Sequence, residues 1–215
     1  MPSTYSRLAQ LLPRHPIPQS EYRGILAELK QNYVPPPQIV SDRLQDAAGK
    51  IGLRVDVVPE LSGYGYGGKM KPDGVLQLAP GLVKGRAKVL AHEMGHWQMG
   101  HHNQQDLPIW TQEMEADAIA TDVLVRVHPE KAQQHLDYGA TYIGGQLGWN
   151  PHRVNLAQEL LMREEALKKA ADYIIQSGIP DNIRNRSPLA LRMVKNSTAA
   201  PDYTSYDSQE RWAFS

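Results

Sequence analysis

The chain has 215 residues, enough for one domain of ordinary size, and its 23 basic and 23 acidic residues balance. This balance argues against nucleic acid or an anionic membrane as a main partner. Because cysteine is absent, disulfide bonds and thiolate zinc sites are excluded, and a transition-metal site must use histidine and carboxylate ligands. Residues 1–16 lack a secretory signal pattern, and no apolar run approaches the roughly 20 residues of a membrane span. We therefore expect a cytoplasmic protein.

The first third of the chain predicts two helices and then a small sheet. One helix is expected over 21–31 and another over 37–50, where apolar residues recur at helical spacing. Alternating apolar residues over 51–58 predict a strand with one buried face, and the Gly- and Tyr-rich segment 62–68 predicts a turn. The alternation resumes over 74–79, which predicts a second strand. At the edge of the sheet this strand could pair with an extended substrate.

The rest of the chain is predicted to be helical. A helix is expected from residue 82 to about 100, and another over 109–127 with an apolar face ending before Pro129. Short helices are expected over 139–161, interrupted at Gly144-Gly145 and at Gly148-Trp149-Asn150-Pro151, and a longer one over 159–176.

These elements divide the chain into four predicted parts. Residues 1–48 form an N-terminal helical extension, 49–132 form the core, 133–180 form a C-terminal helical segment, and 181–215 form a flexible tail rich in polar residues and proline. The predicted class is α+β, with a small antiparallel or mixed sheet.

The segment His92-Glu93-Met94-Gly95-His96 carries the main chemical signal. Residues four apart lie on one face of an α-helix, so His92 and His96 can reach the same metal ion. Glu93 is one position further round, close enough to accept a proton from a water at the metal but badly placed to bind the metal itself. This arrangement is typical of a Zn²⁺ hydrolase.

Two residues could supply the third ligand. Glu113 can point back at the metal from the following helix, and Asp117, one turn later, can accept a hydrogen bond from the outer nitrogen of a ligand histidine. Glu115 points away from the face that Glu113 and Asp117 share. Of the two candidates for the third ligand we favour Glu113.

The other candidate is His102, which has the spacing of the third histidine in the extended motif HExxHxxGxxH. That motif requires glycine at position 99, where this chain has Met99 followed by Gly100. His101 and His102 are more simply interpreted as exposed residues at a helix end, where an imidazolium suits the helix dipole.

The segment 92–97, with a Gly-rich strand pair before it and Glu113–Ala120 after it, resembles the ImmA/IrrE group of small zinc metallopeptidases. These belong to the gluzincins, which combine HExxH with a later ExxxD. The resemblance covers about residues 50–127 and implies a zincin-like core with extra C-terminal helices. It also implies one Zn²⁺ per chain held by His92, His96 and Glu113, with Glu93 as general base and Asp117 as the carboxylate that orients a ligand histidine.

The same resemblance implies an intracellular peptidase that acts on a protein substrate of the transcriptional-repressor type. The balanced charge and the lack of a membrane-spanning run argue against nucleic acid or a membrane as partner. Oxyanion donors in such sites are often Tyr or His; Tyr138, Tyr142, His135 and His152 are candidates that spacing does not separate. An alternative hypothesis is a non-catalytic zinc-binding regulator, or a DNA- or protein-interaction module that keeps the metallopeptidase fold.

Overall fold

The computed structural model of the protein describes residues 2–61, 67–82, 84–104, 106–149 and 155–178, with the backbone alone for 146–149. The predicted tail 181–215 and His152 lie outside these ranges. No helix within them is long and apolar enough to cross a bilayer.

The described residues form eight α-helices, three strands and two short 3-10 turns, which confirms a mixed α+β class. The elements, in chain order, are α1 (Thr4–Leu11), α2 (Gln19–Gln31), α3 (Gln38–Lys50), β1 (Arg54–Val57), β2 (Gly68–Met70), β3 (Val75–Leu78), α4 (Arg86–Gln98), α5 (Ile109–Val127), α6 (Ala132–Trp149), α7 (Leu156–Met162) and α8 (Glu164–Gly178). The 3-10 turns are His101–Asn103 and Pro129–Lys131.

The sheet has the strand order β1-β3-β2, with β1 parallel and β2 antiparallel to β3. The strand predicted over 74–79 is therefore central, so it is not at the sheet edge where it could have paired with an extended substrate. Of the predicted turn 62–68, residues 62–66 lie outside the described ranges and Gly68 begins β2, whose three residues are too few to show an alternation. β2 forms the outer edge, on the side of α4.

The helices differ from prediction where tertiary contacts decide. α4 begins at Arg86, four residues later than predicted; Gly85 is its N-cap residue, and Gly81 before it takes a positive φ of 78°. α6 continues through Gly144 and Gly145, where a Cβ would lie 3.2 Å from Pro13 and 2.9 Å from Tyr22. These two glycines let the N-terminal segment approach α6 closely, so the predicted interruption does not occur there.

The main hydrophobic core contains side chains from helices between α1 and α8; its fully buried members include Leu8, Leu44, Met94, Ile119 and Ile174. Their burial supplies the main stabilising free energy for the packed helices. α4 and α5 pack closely because Gly95 has no side chain: a Cβ there would lie 3.2 Å from the Cα of Ala116. This contact brings the motif helix and the face of Glu113 together.

Candidate metal centre

Three side chains from two helices converge at one point. Nε2 of His92 lies 3.1 Å from Nε2 of His96 and 3.3 Å from Oε2 of Glu113. Nε2 of His96 lies 3.4 Å from Oε1 of Glu113. Among the described residues, His92, His96 and Glu113 are the group whose ligand atoms lie close enough together to hold one metal ion. The structure therefore brings together the three predicted ligands.

These separations fit a small divalent cation. Zinc binds imidazole nitrogen and carboxylate oxygen at about 2.0–2.2 Å, which places neighbouring ligands of a tetrahedron about 3.3 Å apart. Two imidazole nitrogens and a carboxylate are donors that suit zinc and related transition metals. The residues present could hold such an ion.

Asp117 orients His92, and a lysine shares that carboxylate. Nδ1 of His92 lies 3.1 Å from Oδ1 of Asp117, and Nζ of Lys88 donates to the same oxygen at 3.0 Å. The Lys88 ammonium also lies 3.6 Å from the ring centroid of Tyr142. Burial opposes ionisation of Asp117, but Lys88 and His92 outweigh it and lower its pKa. An ionised Asp117 accepts the Nδ1 proton of His92 and so leaves the Nε2 lone pair available for a metal.

A longer chain of contacts lies behind His96. Nδ1 of His96 is 2.8 Å from Nδ1 of His101, whose Nε2 is 3.0 Å from Oε2 of Glu115. Nε of Arg163 donates to Oε1 of the same carboxylate at 2.8 Å. The predicted exposure of His101 is wrong: it is buried, because the chain turns at Gly100 with a φ of 70° and folds the histidine against α5. Glu115 does point away from the metal face, as predicted, and is completely buried.

The charges at the three-ligand cluster favour a bound cation. Burial disfavours charged His92, but Asp117 and Glu113 outweigh it and raise its pKa to about 10. Burial likewise opposes ionisation of Glu113, whose hydrogen bonds to His92 and His96 nevertheless lower its pKa. Without a metal the cluster therefore retains a proton among its acceptor atoms, and a metal ion would displace that proton.

Glu93 lies beside the cluster under the edge strand. It is buried and accepts a hydrogen bond from the backbone N–H of Met70. The backbone of Gly68 passes close to the Glu93 side chain, since a Cβ at position 68 would lie 3.2 Å from Oε1 of Glu93. Burial raises the pKa of Glu93, although the nearby histidines oppose the shift. A carboxyl group with a raised pKa is suited to holding and releasing a proton.

The remaining candidates lie elsewhere. His102 stacks on Trp97, with ring centroids 4.5 Å apart and planes at 14°, and is not part of the cluster. Tyr138 and Tyr142 are buried on the side of Lys88, and His135 contacts His128.

Sequence reasoning missed Lys88, His101, Glu115 and Gly68 as parts of the site. Lys88 precedes His92 by one helical turn in an otherwise apolar stretch, and this spacing could have placed it beside Asp117. The position of His101 depends on the turn at Gly100, which no periodic pattern marks.

Comparison with known proteins finds no family model, curated protein or solved structure that matches this chain. The site itself comprises three convergent ligand side chains, contacts that orient each histidine through its Nδ1 atom, and a buried carboxyl group beside them.

Proposed function

We propose that this protein is a zinc-dependent metallopeptidase with a zincin-like core, in which His92, His96 and Glu113 hold one Zn²⁺. The observation that supports this proposal is the convergence of three ligand side chains, whose nitrogen and oxygen atoms lie 3.1–3.4 Å apart, with the carboxyl group of Glu93 beside them. The ImmA/IrrE resemblance over about residues 50–127 extends the proposal to a protein substrate of the repressor class.

Each residue has a distinct part in the reaction. A bound zinc ion would polarise the peptide carbonyl and make water more acidic. Glu93 accepts a proton from the attacking water and passes it to the leaving amine, a role that its raised pKa favours. Asp117 keeps His92 in the tautomer with the proton on Nδ1.

The outer edge of β2 offers a place for the substrate backbone. Gly67 and Lys71 bond to the β3 side of the sheet, so the alternate residues Gly68 and Met70 direct their backbone groups outward. The N–H of Met70 already donates to Glu93, so its carbonyl and the backbone groups of Gly68 are those offered to a substrate. That edge runs past Glu93. An extended peptide pairing with it would pass the proposed general base.

The test compares the zinc-loaded protein with Glu93→Gln, using a mixture of denatured proteins as substrate and mass spectrometry to count new N-termini. We expect Glu93→Gln to keep its zinc and to cleave at least about 100-fold more slowly, because the proton acceptor is lost. Glu28→Gln removes an exposed carboxylate on α2 and is the matched control.

Cleavage by Glu93→Gln at the parent rate would show that Glu93 is not the base. Zinc binding by the parent without any new N-termini would favour the non-catalytic zinc-binding regulator instead.

A further inference from the structure

The hydrogen bonds that link His96 to His101 and Glu115 run in one donor-to-acceptor direction, which the Glu115 carboxylate determines. Arg163 lies between α7 and α8 and donates to Oε1 of Glu115, which leaves Oε2 to accept from His101. Because a carboxylate can only accept, the proton of His101 must be on Nε2. Its Nδ1 then accepts from Nδ1 of His96 at 2.8 Å, and the proton of His96 is on that nitrogen.

We propose that Glu115, held by Arg163, acts through His101 to keep Nε2 of His96 unprotonated and aimed at the metal position. This inference rests on the proposed metal site. Glu115, His101 and Arg163 are positioning residues, since within the described ranges the metal cluster comprises only His92, His96 and Glu113. The arrangement also makes metal affinity depend on the α7–α8 junction, 48 residues from Glu115 in sequence.

A Glu115→Gln variant tests the donor-to-acceptor direction of these hydrogen bonds. Arg163 can only donate, so it requires the amide oxygen of the introduced glutamine and turns the NH₂ group of that side chain towards His101. His101 must then accept at Nε2 and carry its proton on Nδ1. That proton would point at Nδ1 of His96 and move the His96 proton to Nε2, where the metal would bind.

A second substitution distinguishes the positioning role of Glu115 from a purely structural one. Adding Arg163→Met to Glu115→Gln leaves the amide able to rotate, so its oxygen can face His101 and the original direction can return. A purely structural role predicts the opposite, because the double variant loses more contacts than Glu115→Gln.

The measurements use Zn²⁺ in competition with a chromophoric chelator, and the visible absorption of the Co²⁺-loaded protein as a signature of ligand geometry. We expect Glu115→Gln to lower zinc affinity about 10- to 100-fold and to alter the cobalt spectrum, with part of the loss recovered in the double variant. Arg126→Met is the matched control, since it removes an arginine paired with the buried Asp122, away from both ligand histidines; its zinc affinity should equal that of the parent.

Equal zinc affinity and cobalt spectra in folded Glu115→Gln and parent would overturn the inference, as would weaker binding by the double variant than by Glu115→Gln. If Glu115→Gln does not fold, His101→Phe replaces it: the introduced ring cannot accept the Nδ1 proton of His96, so zinc affinity should fall and the cobalt spectrum should change, and equal values would overturn the inference. Failure of the unaltered protein to bind zinc would instead overturn the proposed function on which the inference rests.

Discussion

The histidine pairs His92–His96 and His128–His135 have similar separations but different chemistry. The first pair faces Nε2 to Nε2 at 3.1 Å, and the second faces Nδ1 to Nε2 at 3.0 Å. In the first pair both Nδ1 atoms are engaged by outer partners, Asp117 and His101. Both Nε2 atoms are therefore left as acceptors, which need a cation between them.

In the second pair one ring can donate its proton to the other, so a single neutral hydrogen bond satisfies the contact without a metal. Burial lowers the pKa of both rings, and that of His135 falls to about 3. A carboxylate, Glu130, approaches Nε2 of His128 only at 3.6 Å. The outer contacts of a histidine pair, more than the distance within it, therefore decide whether the pair can bind a metal.

Removal of the third ligand, Glu113, should have the largest effect on zinc binding by the first histidine pair. Glu113→Ala leaves two facing nitrogens without the carboxylate, so we expect loss of the tightly bound zinc, measured as metal per chain after dialysis against a weak chelator. His102→Ala is the control and should retain zinc, because His102 stacks on Trp97. Retention of zinc in Glu113→Ala with loss in His102→Ala would reverse the ligand assignment.

Asp117→Asn should remove the outer contact that fixes the His92 tautomer, a contact that the second pair lacks among the described residues. The neutral amide no longer fixes the His92 tautomer, and we expect zinc affinity to fall about 10- to 100-fold. Lys88 also loses its buried counter-charge, which should lower the free energy of unfolding by up to about 3–5 kcal/mol, measured by urea denaturation with chelator present.

The double variant Lys88→Met/Asp117→Asn separates these two effects. Removing both charges should restore much of the stability but none of the zinc affinity. Recovery of zinc affinity in the double variant would contradict the orienting role of Asp117.

The second pair should make the free energy of unfolding sensitive to acid. The folded pKa of His135, about 3, lies below its unfolded value of about 6.5, so the unfolded chain binds more protons between these pH values. The stability that neutral His135 contributes is therefore complete above about pH 6.5 and is lost as pH falls towards 3, by at most about 1.4 kcal/mol per pH unit. Urea denaturation of the metal-free protein should show a smaller pH slope in His135→Asn; equal slopes would contradict this.

The sequence predicts the parts of the site that depend on local periodicity. The bounds of α5 agree with the predicted 109–127, and the spacing of four residues places Glu113 and Asp117 on the face that meets His92. Helical spacing is a local property, so one sequence is enough to read it.

The missed parts depend on contacts between distant segments. β2 has three residues and is defined by its pairing with β3, while His101 is positioned by a single turn at Gly100. Arg163 reaches Glu115 only because α7 and α8 pack against α5. None of these contacts leaves a periodic signal, and tertiary packing determines them.

X-ray absorption at the zinc edge of the unaltered protein, loaded with one equivalent of zinc, would identify the ligands of the proposed site. We expect a shell of nitrogen and oxygen at about 2.0–2.2 Å, with outer scattering from two imidazole rings. Outer scattering from one ring or none would contradict the assignment of His92 and His96 as ligands.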